Sequence, residues 1–222
     1  MGRVRVDVIR KGGHMKKSFV VALGFLLFLS MGISCGTKQE TAPSGADVLV
    51  LTQPAGVVPG NISAIETSTG TVYDDLIEGG TGEMPNEFQL RGSTLWIVNS
   101  GQGSVQLVEV SERDGNLSLS TEGRIYLPSG SYPEYMAFLG GKAYVTLYIN
   151  NSVAILDTFT NLITDMINLP VDDGSPSCYP SGLGPWGITT SGTTLLIAGS
   201  GLSPGAIVGI DGNNGSITFS IS

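Results

Sequence analysis

Short runs of apolar and β-branched residues alternate with short polar turns through the chain after residue 46. The runs are rich in Val, Ile, Leu, Tyr and Thr, and the turns in Gly, Asn, Asp and Ser, which is typical of strands joined by tight turns. No stretch of this region has a sustained helical period. Apolar residues often occupy both alternating faces of a run, as in sheets that are covered on both sides. The pattern predicts an all-β fold of stacked sheets.

The runs recur with a period of about fifty residues. Each copy begins with a Pro, and a Gly follows seven residues later: Pro85 and Gly92, Pro133 and Gly140, Pro185 and Gly192. Three strand-like runs follow each Gly, and residues 47–84 supply three further runs without a Pro unit before them. Short strands at an even period predict about four blades of four-stranded antiparallel sheet, the first blade lacking its inner strand.

One copy carries a family resemblance. Residues 143–161 (AYVTLYINNSVAILDTFTN), followed by residues 184–188 (GPWGI), resemble the YVTN-type β-propeller repeat of surface-layer and YncE-like proteins. The resemblance covers residues 47–222 and implies a β-propeller. It implies no single function, because these propellers include binding, surface-layer and enzyme proteins. Family members usually have more blades, so the resemblance also implies a partial or truncated ring that continues past residue 222.

A basic start and an apolar stretch precede the repeats. Residues 15–17 (MKK) lead into the uncharged residues 19–33, which is the layout of a secretory signal. The run is shorter than the ~20 residues that a membrane span needs, although a transmembrane anchor is the alternative. Residues 32–35 (GISC) resemble the lipobox of bacterial lipoproteins, which implies that lipid is attached to Cys35 and that the preceding peptide is removed.

These features divide the chain into four parts. Residues 15–34 are interpreted as a lipoprotein signal peptide, and residues 1–14 as a misassigned start. Residues 35–46 are the lipidated Cys and a flexible tether of small polar residues. Residues 47–222 are the propeller repeats. We therefore expect a protein of the bacterial cell envelope that is anchored to the membrane by its lipid and faces the periplasm or the exterior.

The charge balance changes when the signal region is set aside. The chain of 222 residues has 11 basic and 19 acidic residues and a net charge of −8, but residues 35–222 keep five basic and 18 acidic residues, a net charge of −13. The single histidine, His14, belongs to the removed part. Its loss excludes a Ser-His-Asp relay and a histidine zinc site, and the acidic balance disfavours nucleic acid. Cys178 is then unpaired and is interpreted as buried or incidental.

Propeller ligands usually bind at the mouth of the central channel, which the inner strands and the loops before them line. These loops are residues 78–84, 128–132 and 171–184. The candidate ligand-binding residues are Asn86, Glu87, Tyr132, Glu134, Tyr179 and Trp186. Such carboxylates, amides and aromatic rings suit a stacked sugar, a peptide or a hard cation. The alternative is that the aromatic rings pack between blades and the acidic groups are solvated.

Two other acidic segments could be considered as metal-binding sites, but their sequences are better explained as surface turns. Residues 211–215 (DGNNG) resemble the beginning of a calcium loop, but they lack its closing Glu and lie between two predicted strands. We expect an ordinary hairpin turn there. Asp74, Asp75 and Glu78 are expected to face solvent.

Two functions follow from this reading. The first is a binding or scaffold module without a cofactor, whose partner is a protein, peptide or glycan. The alternative is a periplasmic propeller enzyme, lactonase-like or quinone-dependent, with a metal held at the channel mouth near Asn86, Glu87 and Glu134. Binding is favoured because the chain after residue 34 has no histidine and the blades present do not complete a ring of ligands.

Overall fold

The computed structural model of the protein describes residues 3–8, 42–43, 45–169, 184–199 and 206–221, and for residues 3–8 and 220–221 it describes the backbone alone. All regular elements in these ranges are β-strands, so the all-β prediction is confirmed. The lipobox, Cys178 and Tyr179 lie outside the described residues. Within the described ranges, no helix has the length and hydropathy of a membrane span.

The strands form four antiparallel sheets that follow one another along the chain. The first sheet has the order β1 (Arg3–Val8), β3 (Val48–Gln53), β4 (Asn61–Glu66), β5 (Thr71–Tyr73). The second has the order β6 (Pro85–Arg91), β7 (Thr94–Asn99), β8 (Ser104–Arg113), β9 (Asn116–Tyr126), and β2 (Ala42–Pro43) extends it beyond β9.

The third and fourth sheets repeat this order. The third is β10 (Pro133–Leu139), β11 (Lys142–Leu147), β12 (Ser152–Asp157), β13 (Leu162–Asn168). The fourth is β14 (Pro185–Ser191), β15 (Thr194–Gly199), β16 (Ala206–Asp211), β17 (Ile217–Ile221). The four sheets are the blades of a four-bladed β-propeller, as the repeat predicts.

The repeated glycines make the first hairpin of three blades. Gly92, Gly140 and Gly192 have φ near +60° and begin the two-residue turns that join β6 to β7, β10 to β11 and β14 to β15. A left-handed first residue is what a type II′ turn requires, and it leads the chain back with the twist of the strands. The glycine of the repeat is therefore explained by the turn it forms.

The first blade does not lack its inner strand. Residues Arg3–Val8 pair antiparallel with β3, from Arg3 opposite Gln53 to Val8 opposite Val48, and take the edge that β6, β10 and β14 take in the other blades. The prediction of a missing strand is wrong because the alternation of Arg or Asp with Val in residues 3–8 is a period-two strand pattern. The strand lies in residues 1–14, the stretch that is interpreted from the sequence as a misassigned start.

The predicted tether is also partly structured. Ala42 pairs with Leu117 and Pro43 with Asn116 at the outer edge of the second blade, and Ala42 is fully buried. A proline is tolerated here because the strand lies at a sheet edge. The prediction of a flexible tether over residues 35–46 is therefore wrong at these two residues.

Three hydrophobic clusters hold consecutive blades together. The first joins blades one and two around Ile62 and Phe88, the second joins blades two and three around Trp96 and Met136, and the third joins blades three and four around Tyr144 and Ile197. Each cluster takes one face of each sheet, which is why the central strands are apolar on both faces. Among the described residues, no such cluster joins the fourth blade to the first.

Candidate ligand-binding site

The inner strands of blades two, three and four begin in the same way. Pro85, Pro133 and Pro185 are buried first residues, and the strand register shifts directly after each of them. The residue before each proline has a left-handed backbone: Met84, φ 50°; Tyr132, φ 52°; Gly184, φ 54°. Glycine adopts this conformation readily, whereas other residues seldom do. Two large side chains are thus held at a strained position of the repeat.

A cavity of about 490 Å³ lies beside these strand starts. Its lining combines the exposed loop after β3 with side chains of blades one to four. The lining residues are Gln53, Pro54, Ala55, Gly56, Val57, Met84, Asn86, Tyr132, Glu134, Tyr148 and Trp186. A concave site with aromatic walls and a few polar groups is typical of a small-ligand site.

Aromatic rings form one side of the cavity. Trp186 and Tyr148 are perpendicular, with ring centroids 5.8 Å apart, and Tyr135 lies tilted against Trp186 at 6.5 Å. The Tyr132 hydroxyl donates to the Met84 sulfur at 3.2 Å. Edge-to-face pairs hold both rings in one orientation, so the indole of Trp186 is positioned before any ligand arrives.

Polar side chains from three strands form a connected series. Gln53 Nε2 donates to Asn86 Oδ1 at 3.4 Å, and Asn86 Nδ2 donates to Glu134 Oε2 and to Ser100 Oγ, both at 2.5 Å. Ser100 Oγ donates in turn to the Pro133 carbonyl. Glu134 is buried, with 2% of its surface exposed. The amide of Asn86 therefore links blades one, two and three at the cavity.

Glu87 lies outside the cavity lining. It is also 2% exposed, and its carboxylate accepts hydrogen bonds from the Met136 backbone amide at 2.5 Å and from Gln89 Nε2 at 3.0 Å. A buried carboxylate must have such partners. Glu87 thus joins the inner strands β6 and β10.

The structure brings together four of the six candidate residues and separates one. Asn86, Tyr132, Glu134 and Trp186 line the same cavity, whereas Glu87 faces the neighbouring strand. Tyr179, the sixth, lies outside the described residues, as do the acidic residues of its loop.

The sequence did not predict the cavity residues Gln53, Tyr148 and 54–57, whereas Met84 belongs to the predicted mouth loop of residues 78–84. Tyr148 directly follows the YVTL run, in the turn between β11 and β12, so its position in the repeat was an available signal. Gln53 ends a strand of the first blade, and no sequence signal places it near Asn86.

The acidic segments behave as surface turns. Asp74, Asp75 and Glu78 are exposed, which confirms their predicted position. The Asp211 carboxylate accepts hydrogen bonds from the backbone and side-chain amides of Asn213 at 2.9 and 3.0 Å, as in an Asx-turn. In the part of the chain that the structure describes, no group of three His, Cys, Asp or Glu residues could hold a metal ion.

A second cavity of about 370 Å³ lies between blades three and four. Tyr144, which is 1% exposed, lines it and donates its hydroxyl to the Gly212 carbonyl at 2.9 Å. Burial raises the pKa of the Tyr144 phenol, and the charge of Asp211 raises it further. This hydroxyl therefore serves as a donor between two blades.

No protein-family model matches the chain, and no curated protein matches it. Solved structures do resemble it. Hydrazine synthase of Kuenenia stuttgartiensis has a TM-score of 0.58 at 18% identity, over 85% of this chain and 52% of that one. This chain and the solved structures that resemble it share one fold, the β-propeller.

Two further propellers are enzymes by name. The periplasmic gluconolactonase PpgL of Pseudomonas aeruginosa has a TM-score of 0.58 at 16% identity, over 82% of this chain and 56% of that one. Dihydro-heme d1 dehydrogenase NirN has a TM-score of 0.54 at 13% identity, over 78% of this chain and 35% of that one. The chain spans about half the length, or less, of these structures, and likenesses at such identities show the fold alone.

Proposed function

We propose that this chain is a YVTN-type β-propeller lipoprotein of the bacterial cell envelope, whose cavity at the inner strands binds part of a protein, peptide or glycan. The observation that carries the proposal is the cavity of about 490 Å³, where Trp186, Tyr148 and Tyr132 meet the polar side chains of Asn86 and Glu134. Aromatic rings and a few fixed polar groups are the usual means of holding such ligands.

The binding role is tested with Trp186. Wild-type protein and W186A are applied to glycan and peptide arrays. We expect ligands that bind the wild type and lose at least about tenfold in affinity in W186A, because the indole provides the largest apolar surface of the site. W96F is the matched control, since Trp96 is 2% exposed and lies between blades two and three. Ligands that bind all three proteins equally, or no ligand at all, would contradict the proposal.

The lipoprotein assignment is tested on membrane-extracted protein. Lipid on Cys35 predicts an intact mass that begins at this residue and carries acyl chains, and C35S is expected to leave the membrane fraction. Such processing also removes Arg3–Val8, the strand that pairs with β3. The recovery of an unprocessed chain with this segment would therefore count against the anchor.

The enzyme alternative is tested by metal content. The names of two similar structures, a gluconolactonase and a dehydrogenase, agree with it as well as with binding. Among the residues that the structure describes, the cavity lining contributes one carboxylate, that of Glu134, and a hard cation is usually held by six or more oxygen ligands. A stoichiometric divalent ion in the purified full chain would favour the enzyme reading.

A further inference from the structure

The inner strand of the first blade is attached differently from those of the other blades. Two-residue hairpins join β6, β10 and β14 to the next strand, whereas residues 9–47 separate β1 from β3. The strand β1 nevertheless pairs with β3 without a shift of register, from Arg3 opposite Gln53 to Val8 opposite Val48. The edge of β3 thus accepts a strand that no hairpin delivers to it.

The proposed processing at Cys35 removes β1 and leaves β3 at the inner edge of its blade. An edge strand presents a row of unpaired N–H and C=O groups, and proteins usually block such a row with charged residues, proline or a bulge. The sequence of β3 (VLVLTQ) has no charged residue and no proline, and its pairing with β4 has no shift of register. This edge therefore lacks the features that keep another strand from pairing.

The pairing also sets the direction of a strand at this edge. Because β1 runs antiparallel to β3, its amino end lies opposite Gln53. Gln53 lines the cavity of about 490 Å³ and donates to Asn86 Oδ1 at 3.4 Å. An extended chain in the place of β1 therefore has its amino end beside the cavity.

The occupant that fits this edge best is an extended segment of another protein. A glycan lacks the regular row of N–H and C=O groups that pairs with a strand. A second copy is disfavoured because residues 35–222, with five basic and 18 acidic residues, carry a net charge of −13, and two such copies repel each other.

The register indicates which residues such a segment needs. Residues opposite each other in an antiparallel pair share one face of the sheet, so every second residue of a bound segment meets the face of Val48 and Val50. Both valines are 7% exposed. The strand β1 has a valine at each position opposite Val48, Val50 and Thr52. We therefore expect a segment with β-branched residues at alternate positions.

We propose that β3 is a strand-addition site of the processed protein, where an extended segment of a partner protein takes the place of β1. The segment pairs antiparallel with β3 through its backbone, and its amino end lies at the cavity. Backbone pairing provides affinity in this mode of recognition, and alternate side chains provide specificity. The inference rests on the proposed processing and binding function, and it narrows the ligand to a peptide.

The test uses a labelled peptide with the sequence of residues 3–8 (RVRVDV). The full chain with V6P/D7P frees the edge, because one of any two successive residues of an antiparallel strand donates to its neighbour and proline has no N–H to donate. We expect the peptide to bind V6P/D7P at least about tenfold more tightly than the wild type, in which β1 occupies the edge.

V6A/D7A is the matched control, since it keeps both N–H donors and should bind the peptide as weakly as the wild type. A second peptide, methylated on the backbone nitrogens of its third and fourth residues, should bind V6P/D7P at least about tenfold more weakly than the first. Hydrogen exchange should show new protection of β3 amides in the complex and no change in β7. If V6P/D7P does not fold, the processed protein extracted from membranes takes its place.

Equal binding of the two peptides, binding without protection of β3, or no binding of the first peptide would overturn the proposal. Protection of the β3 amides in the processed protein without added peptide would also overturn it, because a second copy or the chain itself would then cover the edge. If the proposal fails while an array ligand is still lost in W186A, the strand-addition inference alone is wrong; if no array ligand binds either, the binding function fails with it.

Discussion

Tyr132 is held in a backbone conformation that tyrosine seldom adopts. Its φ is 52°, and the equivalent residues are Met84, φ 50°, and Gly184, φ 54°. A left-handed conformation costs a residue with a Cβ about 1–2 kcal/mol relative to its ordinary backbone. The site keeps large side chains at two of the three positions, and both of them line the cavity.

This strain predicts an unusual order of stability. Y132G is expected to be more stable than Y132A by about 1 kcal/mol in urea unfolding, because alanine retains the strain and glycine releases it. Both variants lose the ring and should weaken ligand binding alike.

Tyr126 provides the matched pair. It is 65% exposed in β9 and its φ is not positive, so Y126A should be more stable than Y126G by about 0.5–1 kcal/mol. A Y132A variant at least as stable as Y132G would show that the left-handed backbone is not a constraint in solution.

Individual site residues were predictable only where they occupy equivalent positions in the copies of the repeat. Asn86, Glu134 and Trp186 each directly follow the proline of a copy, and the repeat places the copies side by side. Gln53 and Tyr148 reach the cavity from other strands and turns. Their approach depends on how the blades pack, and contacts between residues far apart in sequence have no local signal. The side-chain direction of Glu87, away from the cavity, depends on the register shift after Pro85.

Strand β11 shows how one element connects two blades. Its residue Tyr144 packs in the cluster between blades three and four and donates its hydroxyl to Gly212 in the turn after β16. Strand positions and hairpin glycines were predictable from the alternation and the repeat. The hydrogen bond from Tyr144 to Gly212 was not predictable, because a tyrosine in an apolar strand gives the same sequence pattern with or without a partner for its hydroxyl.

The hydroxyl predicts a pH-dependent stability. Y144F should cost about 1 kcal/mol at neutral pH, because one hydrogen bond is lost and the ring is retained. The folded pKa of Tyr144 is raised, so this group stabilises the fold below its unfolded pKa of about 10, and the stabilisation disappears as the pH rises through the folded value.

The difference between wild type and Y144F should therefore shrink in urea unfolding as the pH rises above about 10. Y126F is the control, since Tyr126 is largely exposed, and it should follow the wild type within about 0.5 kcal/mol. A difference between wild type and Y144F that is constant over this range would contradict the assigned burial of the phenol.

At the scale of the whole molecule, stability depends on neighbouring blades. Each cluster joins one pair of blades, as in repeat proteins whose units contact their neighbours. The central strands β7 and β11 are buried along nearly their whole length, whereas β13 is mostly exposed. The protection of backbone amides against hydrogen exchange is therefore expected to vary between strands.

The pairing of β1 with β3 is tested by hydrogen exchange. In a variant that begins at Cys35, the β3 amides that bond to β1 should lose protection, because this edge of the sheet becomes exposed. The amides of β7 and β11 are the internal control and should exchange as in the full chain. Unchanged protection of β3 would show that Arg3–Val8 does not pair there in solution.

The pairing of Ala42 and Pro43 at the outer edge of the second blade also limits how far the cavity can lie from a membrane that holds Cys35. If Cys35 carries a lipid, the residues up to Ala42 span at most ~25 Å, so this edge of the blade stays near the lipid surface. The inner strand beside the cavity is at the other edge of the same sheet, about 19 Å away at four strand spacings. The cavity could then meet only molecules presented within about 45 Å of the membrane, which makes lipid headgroups, envelope polymers and neighbouring membrane proteins its accessible surroundings.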